Sequence, residues 1–349
     1  MNTMLAAILH GKEDVRVERV PIPEPASGEI VVRVHSALTC GTDLKVYRRG
    51  YHARMLNPPV PFGHELAGTV ASVGDGVQQF DVGDHVVALN SAPCDRCFFC
   101  LHGQQNLCDD LLFNNGAYAQ YIRVPARIVE KNTLHVPESV PLEHAALTEP
   151  LACCLRGIEE SGVVAGDIVA VIGAGPIGLL FIHAASLLGA EVIAVVKHDK
   201  QIKFAEEFGA KHVVQVTPGP DPIVAVRALS PDGRGADVVL EAVAQPLTWQ
   251  WAVEMVRKGG TVNFFGGPPA GSIVALDTNL LHYSDITLKA SFHHTPATVR
   301  RAFTMIASGK FKADKFLTGR APLQQLKPVL DGLMERSNEI KTVIDPWQT

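Results

Sequence analysis

A run of five apolar residues, Ile168–Ile172, leads straight into Gly173-Ala174-Gly175-Pro176-Ile177-Gly178. A short apolar run closed by glycines reads as a buried strand, and Pro176 is favoured in the first turn of a helix. The glycines allow a tight turn, close approach of a pyrophosphate, and close helix–strand packing. Backbone N–H groups at the helix start would hold the anion. The same rhythm continues beyond the turn. Strands are expected at 192–196, 212–216, 236–243, 261–265 and 286–290, with helices at 176–188, 200–208 and 248–257. Strands alternating with helices call for a parallel, doubly wound sheet.

Residues 168–190 carry no Asp, Glu, Lys or Arg and reach the length of a membrane span. The glycines and proline within them favour a strand, a turn and a buried helix instead. The first 150 residues differ in character. Val15, Val17 and Val20 alternate loosely with charged residues, as do Val32 and Val34 with Arg33 and His35. With frequent turns and no long helical pattern, this part is expected to be an antiparallel sandwich or barrel. The N-terminus lacks the pattern of a signal peptide, so a soluble, cytoplasmic protein is expected. The 31 basic and 36 acidic residues leave a net charge of −5, which argues against a polyanion or membrane partner.

Seven cysteines in a chain of 349 residues are an odd number for a disulfide framework. Cys94, Cys97, Cys100 and Cys108 fall within fifteen residues among the turn-formers Pro93, Asp95 and Gly103. That spacing matches a closed tetrahedral zinc site that organises a loop at about 90–110. Cys40 and Gly63-His64-Glu65 are a sparser set. Thiolate, imidazole and carboxylate could hold a catalytic zinc with one position open, although lone Cys and His residues are more often core or surface.

Taken together, Cys40-Gly41-Thr42-Asp43, Gly63-His64-Glu65-Leu66-Ala67-Gly68, the four-cysteine lobe, Glu149-Pro150-Leu151 and the Gly173 to Gly178 turn occur in a distinctive order. By these motifs the chain resembles the zinc-containing medium-chain dehydrogenases over essentially its whole length. Glu149-Pro150-Leu151 looks like the sorbitol and threonine dehydrogenase branch. The resemblance implies an α/β protein. A GroES-like catalytic domain would span 1–150 and 292–349, and a Rossmann domain 151–291. It implies two zinc ions per chain, the catalytic one on Cys40, His64 and Glu65. Glu149 would be a fourth ligand, directly or through water. Thr42 would relay the substrate proton. Lys45 stands where that branch usually has a histidine, so the relay would leave through water or His52, or Lys45 would contact substrate or cofactor.

The nicotinamide cofactor would lie on Gly173, Gly175, Pro176, Ile177 and Gly178. Lys197 and His198 stand where an NAD-type acid is expected, about twenty residues past the turn; they favour NADP over NAD, with Asp199 as the competing NAD-type acid. Lys203 could reach the adenosine end. Val243 and Phe265-Gly266-Gly267 end later strands, where ligands bind in such sheets. His293 and His294, after Phe292, would face the nicotinamide or form a boundary turn. Phe113, Asn114 and Asn115 would shape a substrate pocket, while Cys153 and Cys154 read as small core residues.

The expected activity is zinc-dependent oxidation of a secondary alcohol, in a polyol, sugar or cyclitol, with NAD or NADP, by a homodimer or homotetramer. L-Threonine is the alternative substrate. A non-catalytic nucleotide-binding relative would be expected to have lost Cys40, His64 or Glu149. A zinc-ribbon nucleic-acid binder is disfavoured by Asp95, Asp109 and Asp110 in the lobe.

Overall fold

The computed structural model describes residues 2–52, 54–335 and 339–348. Met1 and Thr349, at the limits of the expected catalytic domain, lie outside the described residues. The chain forms two compact units, Met1–Ala152 with Thr295–Thr349, and Cys153–His294.

The first unit is built on a seven-stranded sheet. Its order is Thr133–His135, His85–Ala88, Leu66–Val73, Ile30–Leu38, Lys341–Asp345 and Leu317–Pro322, with Tyr121–Val124 also paired to Ile30–Leu38. A second sheet joins Asp14–Pro21, Thr3–Gly11 and Val60–Pro61. Ile30, Val32 and Val34 are fully buried at the centre, where each aliphatic side chain contributes about 1.5–3 kcal/mol. Within the first 150 residues the strand pairs among the described residues are antiparallel, as expected; the returning C-terminal segment adds a parallel pair. Leu317–Pro322 runs parallel to Lys341–Asp345.

One helix of this unit, Gly41–Arg49, interrupts a region read as strands. Its cues are end effects, not periodicity. Cys40 is the N-cap residue, Asp43 lies in the first turn, Arg48 and Arg49 in the last, and Gly50 closes it at φ 84°. Tyr47 anchors the helix by donating to Asp331 Oδ1 at 2.8 Å and accepting from Lys327 Nζ at 2.9 Å.

The second unit is a parallel sheet whose strands we number within the unit. They are β1 (Ile168–Ile172), β2 (Glu191–Val196), β3 (His212–Gln215), β4 (Ala236–Glu241), β5 (Val256–Phe264) and β6 (Thr287–Ala290). The spatial order is β3-β2-β1-β4-β5-β6, the order of a dinucleotide-binding sheet. All five residues of β1 are buried, which is why it reads as an unbroken apolar run. The long apolar stretch resolves into β1, the glycine turn and the helix Pro176–Leu187. Among the described residues no helix is long and apolar enough to cross a membrane. The helix expected at 248–257 ends at Met255, and β5 begins at Val256, five residues before the expected strand. Two helices escaped periodicity, Pro222–Ala228 and Thr278–Tyr283. Each is capped by an aspartate, Asp221 and Asp277.

Candidate active site

The strand end at Leu38 and the helix start at Gly41 place Cys40 beside the turn that precedes Leu66–Val73. The ligand atoms of Cys40, His64 and Glu65 lie within 4.8 Å of one another. His64 and Glu65 are buried and Cys40 is partly so. His64 Nδ1 stands 2.8 Å from Asp43 Oδ1. A carboxylate only accepts, so Nδ1 carries the hydrogen and Nε2 is left as the ligand atom. Burial alone would lower the His64 pKa, but the Asp43 carboxylate and the Cys40 sulfur outweigh it and hold it well above the ordinary value.

Glu65 also meets a lysine that the sequence did not single out. Lys341 Nζ donates to both carboxylate oxygens, at 2.8 and 2.6 Å, and to the Thr39 carbonyl at 2.9 Å. Burial would push Lys341 down, yet the charges of Glu65 and Cys40 hold it above the usual lysine value. Glu149, outside the triplet, is buried in the first turn of helix Thr148–Glu160. Burial pushes its carboxyl up to about 7, against the opposing pull of His64.

Cys94, Cys97, Cys100 and Cys108 also bring their sulfurs within 4.8 Å of one another. Backbone N–H groups support them. The Cys94 amide donates to Cys108 Sγ at 3.3 Å, and the Arg96 amide leads the contacts that lower Cys94 to about 6. Asp95, at φ 55°, is tied down by Gln105 Nε2 at 2.6 Å and Lys131 Nζ at 2.5 Å. Four convergent thiols with amide donors around them fit a closed zinc site.

In the second unit Gly173 has φ 98°, and a Cβ on Gly178 would stand 1.8 Å from the Gly173 carbonyl oxygen. Gly175 is different. Its backbone is extended and a Cβ there would meet nothing within 4 Å, which leaves open space over the start of helix Pro176–Leu187. Val243 lies against the turn, its Cγ2 being 2.6 Å from a Cβ built on Gly173. Phe265 packs edge-on against Phe181. At the end of β2, His198 is the N-cap residue of helix Asp199–Glu207. The Lys197 and His198 amides both donate to Gln201 Oε1 at 3.0 Å. Asp199 Oδ1 accepts from Gln215 Nε2 at 2.5 Å. Lys197 and Lys203 are exposed.

Thr42 is half-buried and its amide donates to Cys40 Sγ at 3.4 Å. Lys45 is exposed on the same helix. His52 Nδ1 accepts from the Arg54 and Met55 amides at 3.2 and 3.1 Å. The hydrogen of neutral His52 is therefore on Nε2, so the ring is a donor and cannot take up a proton at Nδ1 while those bonds hold. Asn114 donates to the Arg123 carbonyl and Asn115 to the Met55 carbonyl, both at 3.0 Å; Phe113 closes the short strand Leu112–Phe113. His293, at φ 63°, and His294 are buried with rings 4.0 Å apart. Cys153 and Cys154 are buried on helix Thr148–Glu160.

Residues 26–137 match the alcohol dehydrogenase GroES-like domain, and residues 176–308 match the zinc-binding dehydrogenase domain. An L-threonine 3-dehydrogenase of Bacillus licheniformis is 30% identical, over 96% of both chains. The chain belongs to the zinc-binding medium-chain dehydrogenases. The enzyme is also 29% identical to the sorbitol dehydrogenase of Bacillus subtilis, over 98% of this chain and 97% of that one. A protein of Sinorhizobium meliloti assigned to the zinc-binding dehydrogenases, solved with NADP, superposes with a TM-score of 0.90 at 30% identity, covering 99% of the enzyme and 100% of that chain.

Proposed function

We propose that the enzyme oxidises a secondary alcohol group of a polyol, sugar or cyclitol, with NADP as hydride acceptor and two zinc ions per chain. The observation that carries this reading is the convergence of Cys40 with the buried His64 and Glu65 within 4.8 Å, with the imidazole already oriented by Asp43. A thiol, an imidazole and carboxylates are a donor set that zinc accepts, and Glu149 would complete it directly or through water. The four cysteines would hold the second, structural ion. When bound, the catalytic zinc supplies Lewis acidity that brings the pKa of a substrate hydroxyl toward neutrality.

The side chains do the rest. Asp43 fixes the imidazole, and Lys341 balances the charge of Glu65. Thr42 takes the hydroxyl proton through its own hydroxyl and passes it to water, since His52 is placed as a donor. Bound NADP would supply the hydride acceptor for the carbinol carbon, so that the product would be a ketone. The Gly173 to Gly178 turn would seat the pyrophosphate on the N-terminus of helix Pro176–Leu187.

NADP is preferred because β2 ends on Val196, with Lys197 and His198 next, while Asp199 is engaged by Gln215. The NADP held by the Sinorhizobium structure supports the same choice. Lys203, Val243 and Phe265 complete the proposed cofactor contacts, and Lys45 would touch substrate or cofactor. The enzyme would be cytoplasmic and, by resemblance to its family, a homodimer or homotetramer. L-Threonine is the second substrate reading, supported by the 30% identical threonine dehydrogenase.

The test is a panel of polyols, cyclitols, sugar acids and L-threonine, each with NAD and NADP, followed by nicotinamide absorbance. Fastest turnover of a polyol or cyclitol with NADP is expected. Turnover of L-threonine alone would replace the polyol reading with the second one.

A further inference from the structure

Tyr118 is fully buried in the first unit. Its phenol donates to Asp43 Oδ2 at 2.6 Å, with the Leu38 carbonyl also in range at 3.1 Å. A phenol has one hydrogen to give, and the shorter contact to a carboxylate is the stronger. Asp43 Oδ1 faces His64 Nδ1 at 2.8 Å. The two oxygens of one buried carboxylate are thus held by two different side chains, which fixes the plane of the carboxylate and of the imidazole.

The ring of Tyr118 acts on the same ligand from its other side. A Cβ built on Gly63 would stand 2.5 Å from Tyr118 Cδ2, so the ring lies flat on the glycine that precedes His64. Gly63 has φ 89°. The Tyr118 amide donates to the Phe62 carbonyl at 3.0 Å, and the Gly116 and Ala117 amides to the Gly63 carbonyl at 2.9 and 3.1 Å. One residue therefore braces both the backbone entering His64 and the carboxylate that orients its ring.

We infer that Tyr118 is a positioning residue for the catalytic metal, acting through Asp43 on the ring orientation of His64. The inference rests on the reading of Cys40, His64 and Glu65 as metal ligands. Removing only the phenol oxygen keeps the ring on Gly63 but leaves Asp43 Oδ2 buried without its donor. The carboxylate can then turn, and the imidazole turns with it. Loss of such an outer partner typically weakens metal binding by about 10–100-fold.

The experiment compares the full chain with its Tyr118→Phe variant, by zinc competition with a chromophoric chelator and by the visible spectrum after cobalt substitution. The expected result is a loss of about 10–100-fold in zinc affinity at one site, with the four-cysteine site unchanged as internal control. The cobalt spectrum of the weakened site should change as well. Adding Tyr118→Phe to Asp43→Asn should cause little further loss, because the two act through one carboxylate. Unchanged affinity and spectrum, with only a lower melting temperature, would make Tyr118 a packing residue and overturn the inference alone. A single zinc per wild-type chain, held by the four cysteines, would overturn the ligand reading and the inference with it.

Discussion

Lys341 Nζ lies 2.8 and 2.6 Å from the two carboxylate oxygens of Glu65, and both residues are buried. The pair joins the strand Lys341–Asp345 to the turn that carries His64. Removing one partner would strand the other as a buried charge. Lys341→Met should therefore destabilise the protein by about 3–5 kcal/mol, read from denaturant midpoints. The double variant Lys341→Met with Glu65→Gln should recover a good part of that loss. A loss below about 1 kcal/mol in the single variant would show the pair to be energetically idle.

The glycine turn allows two opposite outcomes from one chemical change. Gly178→Ala drives a methyl group into the Gly173 carbonyl, so the second unit should lose roughly 3 kcal/mol or more. Gly175→Ala meets nothing in the protein, and stability should stay within about 0.5 kcal/mol. Its methyl group would stand where a pyrophosphate must approach. Cofactor affinity, measured by titration calorimetry, should fall about tenfold or more, roughly 1.4 kcal/mol. Unchanged affinity in Gly175→Ala would move the pyrophosphate away from this turn.

Glu241, at the end of β4, is fully buried. Its Oε1 accepts from the Val243 and Ala244 amides and from Thr248 Oγ1, while Oε2 has no hydrogen-bond partner among the described residues. Burial raises its pKa above the ordinary carboxylate value, outweighing those donors. Between the ordinary value and the raised one, the folded state binds more protons than the unfolded state, so stability falls as pH rises through that window. Below it both states are protonated and the effect vanishes. The stability of Glu241→Gln relative to wild type should therefore improve in thermal melts as pH rises above the ordinary carboxylate range toward the raised value. A difference that stays constant with pH would contradict the raised pKa.

Cys97→Ser leaves three thiols in the four-cysteine lobe. Zinc content should drop from two ions to one per chain, and protease should cut between residues 94 and 108, which the ion no longer organises. An intact lobe with one zinc lost elsewhere would refute the assignment.

Much of the second unit could be read ahead of its structure, because buried parallel strands are unbroken apolar runs and glycines mark their ends. β1 is the clearest case. The start of β5 was hidden because Val256 and Arg257 continue the helical spacing of Pro246–Met255, whereas the backbone turns extended at Val256. Helix Gly41–Arg49 was hidden because its evidence lies in its caps. Within the site, Cys40, His64 and Glu65 were legible through their motifs, and Asp43 stood in one of them without a role. Lys341 and Tyr118 left no local signal. Lys341 is 276 residues from Glu65, and Tyr118 is 75 residues from Asp43, so only the fold reveals either contact.

The most direct measurement of the central claim pairs zinc content with turnover in wild type and His64→Ala, using NADP and the best secondary alcohol of the panel. Two zinc ions per wild-type chain and steady cofactor reduction are predicted. His64→Ala should keep one zinc and lose turnover by at least about a thousandfold, more than 4 kcal/mol of transition-state stabilisation. Turnover that survives in His64→Ala, or its absence from a wild-type chain carrying two zinc ions, would contradict the account.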